Sequence, residues 1–225
     1  MLLAPGFPER TFRELAALTV GQRNICLFAV RERLFGPKLH ARVQCPRCGA
    51  QSEFTALAGE LCPHRPPADL PALPQPEFAV EVEGVSLRCR CLNSVDLADL
   101  NGSSTDGAMS TRPALLRRTI LAARSGDADV PPDSLSPPAL GAIADALVEH
   151  DPQAEQLVAV ACADCSHSWS ALFDPVSFIW AEVANAAQRL LHDVHLLARS
   201  YGWREADILA MSGVRRQFYL EKVAS

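Results

Sequence analysis

Two Cys-x-x-Cys pairs, Cys45-Pro46-Arg47-Cys48-Gly49 and Cys162-Ala163-Asp164-Cys165, stand in this chain with 113 residues between them. A tight turn with cysteines at i and i+3 presents two thiolates to one ion, and two such turns complete the tetrahedral four-sulfur shell that zinc prefers. The expected cofactor is one zinc ion per chain, held by Cys45, Cys48, Cys162 and Cys165. Four thiolates leave no open position for water, so that zinc is structural rather than catalytic. A thioredoxin-like dithiol would sit at a helix N-terminus, which lowers a thiol pKa; here strand-like runs follow both pairs. His167, two residues beyond Cys165, is the nearest substitute ligand.

Other ligand-bearing residues are weaker candidates. Cys62, His64, Cys89 and Cys91 form a second conceivable set, since residues 89 and 91 point to one strand face. Core packing of small cysteines, next to a proline-rich stretch unsuited to holding ligands, is the favoured reading. His192 and His195 lie three apart on a helix but have no third ligand imposed by sequence, which leaves them as interface or hydrogen-bonding residues. No Gly-rich phosphate loop, nucleophile elbow or acid–base pair stands out, and no enzyme is expected.

The elements that must position the four thiols are legible around them. Ala41 to Gln44 and Gln51 to Phe54 flank the first pair; Leu157 to Ala161 and Ser168 to Phe173 flank the second. Each half reads as a β-hairpin with a metal knuckle at its tip. The predicted fold is therefore α+β: a discontinuous zinc-ribbon-like pair of knuckle hairpins (41–60 and 155–173), preceded by an N-terminal helical segment (1–40). An inserted region (61–154) of proline-rich linker, hairpin and helices separates the halves, and a C-terminal helical module (174–225) follows.

Thr19-Val20-Gly21-Gln22 has capping-box spacing and starts a helix that Gly36-Pro37 stops. Its body is apolar nearly all round, with Cys26 a core residue and Arg31, Glu32 and Arg33 marking an exposed end. Six prolines between residues 62 and 76 predict a stiff, extended linker. Residues 78–91 alternate on both sides of Gly84, as a hairpin does. A polar loop over 101–107 precedes a helix over Ala114 to Arg124, and Ser136-Pro137 opens another helix running to about Glu149. Asp174-Pro175 opens the longest helix, which Gly202 ends after about seven turns, roughly 40 Å. Its stripe from Val176 to Tyr201 offers more apolar surface than a small ribbon covers, so part of it, with His195, Tyr201 and Trp203, is a candidate partner surface. Two short helices broken near Ser212-Gly213 complete the chain.

Composition sets the remaining bounds. At 225 residues, 48% apolar and 21% charged, the chain has an ordinary globular composition. No apolar run approaches the roughly 18 residues of a membrane span, and Met1 to Gly6 lacks the charged and apolar regions of a signal peptide, so a cytosolic location is expected. A formal net charge of −5 argues against nucleic acid as partner. A helix-turn-helix with Arg215 and Arg216 on phosphates is disfavoured further by Glu205, Asp207 and Glu221.

Taken together, these residues resemble the T-even-phage-like baseplate hub assembly proteins, or hub assembly chaperones, of contractile phage tails and contractile injection systems. The resemblance covers most of the chain. It rests on Leu18-Thr19-Val20-Gly21-Gln22-Arg23, Leu34-Phe35-Gly36, both cysteine pairs, Trp169, and Phe178-Ile179-Trp180-Ala181-Glu182. It is strongest over Leu191-His192-Asp193-Val194-His195-Leu196-Leu197-Ala198 and Tyr201-Gly202-Trp203, with Ile208-Leu209, Arg215-Arg216 and Tyr219-Leu220 beyond. Cys89 and Cys91 depart from apolar positions. The resemblance implies a non-enzymatic role in building a baseplate in the bacterial host cytosol, either retained in the particle or leaving it. It implies baseplate or hub proteins as partners, with Trp180, Glu182, His195, Tyr201, Trp203, Arg216 and Tyr219 as partner-binding candidates.

Overall fold

Helix-start chemistry decides the N-terminal elements of the computed structural model, which describes residues 2–63, 76–101 and 108–223. Thr11 caps helix α1 (Phe12–Ala16), and Thr19 caps α2 (Val20–Phe35) through a reciprocal capping box with Gln22. The Thr19 hydroxyl accepts from the Gln22 amide at 3.1 Å, and the Gln22 side chain accepts from the Thr19 amide at 3.0 Å. Gly36, at φ +82°, ends α2 where the sequence places the stop. Cys26, Leu27 and Phe28 are buried on this helix.

Arg31 corrects the reading of that helix's exposed end. Its side chain is buried at 2% exposure, and its guanidinium donates to the carbonyls of Gly36 and, at 2.6 Å, Lys38. The cation thus satisfies acceptors released where the helix stops and the next strand begins.

Strands β1 (Lys38–Gln44) and β2 (Gln51–Leu57) form an antiparallel pair with Gln44 opposite Gln51 at the tip. A short helix α3 (Ala58–Leu61) follows. The expected proline-rich linker lies largely outside the described residues, as does most of the polar loop over 101–107. Between them, β3 (Glu77–Val82) and β4 (Val85–Arg90) pair across Glu83 and Gly84, both at positive φ, the turn that matches strand twist. Helices α4 (Ser94–Asn101) and α5 (Ala108–Arg118) then lead to β5 (Ile120–Ser125) and β6 (Ala128–Asp129).

Here the expected helix over Ala114 to Arg124 is corrected: it stops at Arg118 and the remainder is strand. Thr119, fully buried, turns the chain by donating its hydroxyl to the Leu116 carbonyl at 2.6 Å, and its own carbonyl accepts from Arg90. Leu121 to Ala123 carry no decisive period, so pairing with β4 overrides helical propensity, with a bulge between Ile120 and Ala122. The inserted region consequently holds a four-stranded sheet, ordered β3-β4-β5-β6, rather than a lone hairpin.

Helix α6 (Pro137–His150), capped by Ser136, covers that sheet. Phe78, Val80, Leu87, Cys89, Leu140 and Ile143 lie in the shared core. Strands β7 (Leu157–Ala161) and β8 (Ser168–Leu172) form the second hairpin, with Ala161 opposite Ser168. Asp151, at the C-terminus of α6, accepts from the Gly21 amide at 2.9 Å and the Thr19 hydroxyl at 3.1 Å, which ties α6 to the start of α2. Phe173, just past β8, stacks on Phe28 of α2 with ring centroids 6.0 Å apart. Residues 1–175 form one compact unit.

Residues 176–225 form the second unit. Helix α7 (Pro175–Tyr201) ends at Gly202, φ +69°, and is followed by α8 (Glu205–Ala210) and α9 (Gly213–Val223). Val194, Leu197 and Ile208 form the buried centre of this unit, with Trp203, Tyr219, Leu220 and Val223 packed around them. Among the described residues, no helix is long and apolar enough to cross a membrane.

Candidate metal centre

The two hairpin tips have matching backbones. In the first, the Cys45 amide donates to the Ala50 carbonyl at 2.8 Å and the Gly49 amide to the Cys45 carbonyl at 2.9 Å. In the second, the Cys162 amide donates to His167 at 2.9 Å and the Ser166 amide to Cys162 at 3.0 Å. Gly49 and Ser166 take the same left-handed place, at φ +77° and +55°. A glycine is the ordinary occupant of such a position. After Cys165 a serine stands there instead.

These turns bring Cys45, Cys48, Cys162 and Cys165 together, with all four sulfurs within 4.8 Å of one another. The Cys45 and Cys165 sulfurs are 3.7 Å apart and those of Cys48 and Cys162 are 3.6 Å apart. A tetrahedral zinc site with bonds of about 2.3 Å has sulfur–sulfur edges of about 3.8 Å. The donor set therefore fits a tetrahedral four-thiolate ion, and none of the four cysteines is in a disulfide. Cys45 and Cys162 are buried, Cys165 is half-buried, and Cys48 is exposed.

Backbone amides prepare the cluster for charge. Hydrogen bonds from the Cys165 and Asp164 amides pull the Cys162 thiol down to about 6 against the effect of burial, with Cys48 and Cys165 assisting. The Ala50 amide likewise draws Cys48 down, but Cys165, burial and the thiols of Cys162 and Cys45 outweigh it and push Cys48 up to about 12. The Cys162 thiolate thus forms readily, while Cys48 and Cys165 are shifted toward keeping their protons. A cation that binds all four sulfurs supplies the attraction needed to ionise the rest.

The other candidates have different surroundings. Cys89 and Cys91 are fully buried in the core beneath α6, where removal from water raises both thiols. Cys62 is buried and interacts with Cys26, while His64 lies outside the described residues. His167 is half-buried and stacked on Trp169, centroids 5.8 Å apart. Its carbonyl and amide serve the knuckle, the amide donating toward the Cys165 sulfur.

Among the partner-binding candidates, Trp180 is 59% exposed, His195 is exposed and Glu182 is half-buried. Tyr201, Trp203 and Tyr219 form one aromatic cluster: Tyr201 stacks on Trp203 at 4.5 Å, and Tyr219 meets Trp203 edge-on at 4.8 Å. Trp203 and Tyr219 therefore contribute to packing within the C-terminal unit. Arg216 donates to the Met211 carbonyl at 2.6 Å and caps the end of α8, a role the sequence did not signal.

Comparison of the chain with protein-family models, curated proteins and solved structures gives no match.

Proposed function

We propose that the chain is a non-enzymatic assembly or structural factor for the baseplate hub of a contractile phage tail or contractile injection system, with one structural zinc ion in a discontinuous ribbon. The observation that carries the structural half of this reading is the closed four-sulfur cluster contributed by two hairpins far apart in sequence. Its donor set suits zinc and provides no place for a reacting water. When bound, the ion supplies a cross-link; the chain's own amides orient the sulfurs and offset their charge.

The assembly half rests on the sequence resemblance, whose strongest stretches fall on the last turns of α7 and on the aromatic cluster beyond it. Exposed Trp180 and His195 are the surface positions on α7 that we assign to hub or baseplate proteins, within the host cytosol. A nucleic-acid role fits less well, because Arg216 is turned onto carbonyls and the net charge is −5.

Co-expression with an entire contractile-tail gene cluster, affinity purification of this chain and metal analysis of the eluate test both halves. Recovery of hub or wedge proteins with stoichiometric zinc is the expected outcome. Recovery without tail proteins refutes the assembly role. A red, iron-loaded protein or a metal-free folded chain refutes the zinc assignment.

A further inference from the structure

Two close sulfur contacts in the centre run between the hairpins. Cys48 lies 3.6 Å from Cys162 and Cys45 lies 3.7 Å from Cys165, joining positions 114 and 120 residues apart. Each hairpin also locks its own turn with backbone hydrogen bonds, Gly49 to Cys45 and Ser166 to Cys162. Of the four sulfurs, that of Cys48 belongs to the exposed residue. A metal-bound thiolate at the surface is accessible to small oxidants, whereas buried thiols are not.

We propose that the centre is a peroxide-sensitive staple, in which a hydroperoxide entering at Cys48 expels the metal and joins Cys48 to Cys162, so that a covalent link between hairpins replaces the ionic one. This rests on the metal reading above. The Cys48 sulfur attacks the peroxide, breaking its O–O bond and taking one oxygen as a sulfenic acid; the other oxygen leaves as hydroxide from hydrogen peroxide, or as alkoxide from an organic hydroperoxide, and takes a proton to become water or alcohol. The Cys162 thiolate then attacks the Cys48 sulfur, forming the S–S bond and displacing the sulfenic oxygen as water once protonated. Two thiolates lose two electrons to one peroxide, and the ion, left with two of its four ligands, is released. A second peroxide takes Cys45 and Cys165 through the same sequence. A disulfide of about 2.05 Å requires the sulfurs of either pair to close by about 1.6 Å.

Four other cysteines act as internal controls. Cys26, Cys62, Cys89 and Cys91 are all buried, and removal from water raises Cys26 and Cys91 to about 11.

The test uses the full-length wild-type chain, so no substitution can confuse loss of chemistry with loss of folding. Bound metal is measured first. Hydrogen peroxide is then added stepwise with a chromogenic zinc chelator present, free thiols are alkylated, and disulfides are mapped by peptide mass spectrometry. We expect release of one zinc per chain, with the Cys48–Cys162 peptide pair as the first and dominant cross-link and the four control cysteines alkylated only after unfolding. Dithiothreitol with added zinc should restore the starting metal content. Zinc retained under peroxide, or released with Cys45–Cys48 and Cys162–Cys165 as the dominant pairs, overturns the staple while leaving the zinc site standing. A folded chain without metal at the first measurement overturns both.

Discussion

Replacing Gly21 by alanine should destabilise the protein, although helix propensity alone predicts the opposite. Gly21 lies in the first turn of α2, and a helical Gly→Ala change normally gains about 1 kcal/mol. The added methyl would lie 2.0 Å from the nearer Asp151 carboxylate oxygen, 2.8 Å from its Cγ and 3.1 Å from the Ala154 backbone nitrogen. The carboxylate must move, and it is the acceptor for both the Gly21 amide and the Thr19 hydroxyl. Hydrogen bonds to a charged group are each worth about 1.5–3 kcal/mol, so their loss less the propensity gain leaves a net destabilisation of about 2–5 kcal/mol. Equilibrium urea unfolding of Gly21→Ala beside the parent measures this directly. In an Asp151→Ala background, where both hydrogen bonds and the obstructing carboxylate are already gone, Gly21→Ala should cost little further, and the coupling is read from a double-mutant cycle. A Gly21→Ala protein as stable as the parent, or more stable, would refute the close approach of Asp151 and with it the tie between α6 and α2.

Three further outcomes are expected. Cys165→Ser should lose bound metal and become sensitive to protease, since structural zinc contributes on the order of 10 kcal/mol or more in small zinc domains; full metal occupancy in a protease-resistant variant would count against the ligand assignment. Asp96 is buried, which alone would raise its pKa, but hydrogen bonds from Arg90, at 2.7 and 2.8 Å, and from the Asn93 amide hold it below the ordinary carboxylate value. A depressed folded pKa gives stability that is present above the unfolded value of about 3.9 and lost as pH falls through the folded one, so Asp96→Asn should cost about 2–4 kcal/mol at neutral pH, with the gap to the parent closing below about pH 4. Trp203→Ala should lower the melting temperature by opening the aromatic cluster, whereas Trp180→Ala should leave melting unchanged and reduce recovery of tail proteins; the reverse pattern would exchange their roles.

What could be read from the sequence depended on how local the deciding interaction was. The grouping of the four cysteines was legible because each Cys-x-x-Cys turn and its flanking strands are written within about twenty residues, and the capping box at Thr19 and the serine cap at Ser136 are shorter still. Arg31 was not: its neighbours in sequence are charged, but its guanidinium is used by carbonyls of Gly36 and Lys38 once the chain has turned. The stretch after Arg118 was misread for a related reason, since its strand character comes from pairing with β4 and from the turn at Thr119. The likeness of the two knuckles was legible from the paired cysteines, although Ser166 stands where the first has Gly49. Asp151 carried no motif at all, because its partners are 130 and 132 positions away.

The separation of 114 positions between Cys48 and Cys162 also sets a schedule. At ribosomal speeds of about 5–20 residues per second, roughly 10 s pass between synthesis of the first half-site and arrival of the second. During that interval the first knuckle holds two thiols with nothing opposite them, and the sheet under α6 is the part of the chain being completed. Birth order therefore puts the whole inserted sheet and its helix into the chain before the four sulfurs can meet, so an ion held by all four would be captured only after that stretch has been made.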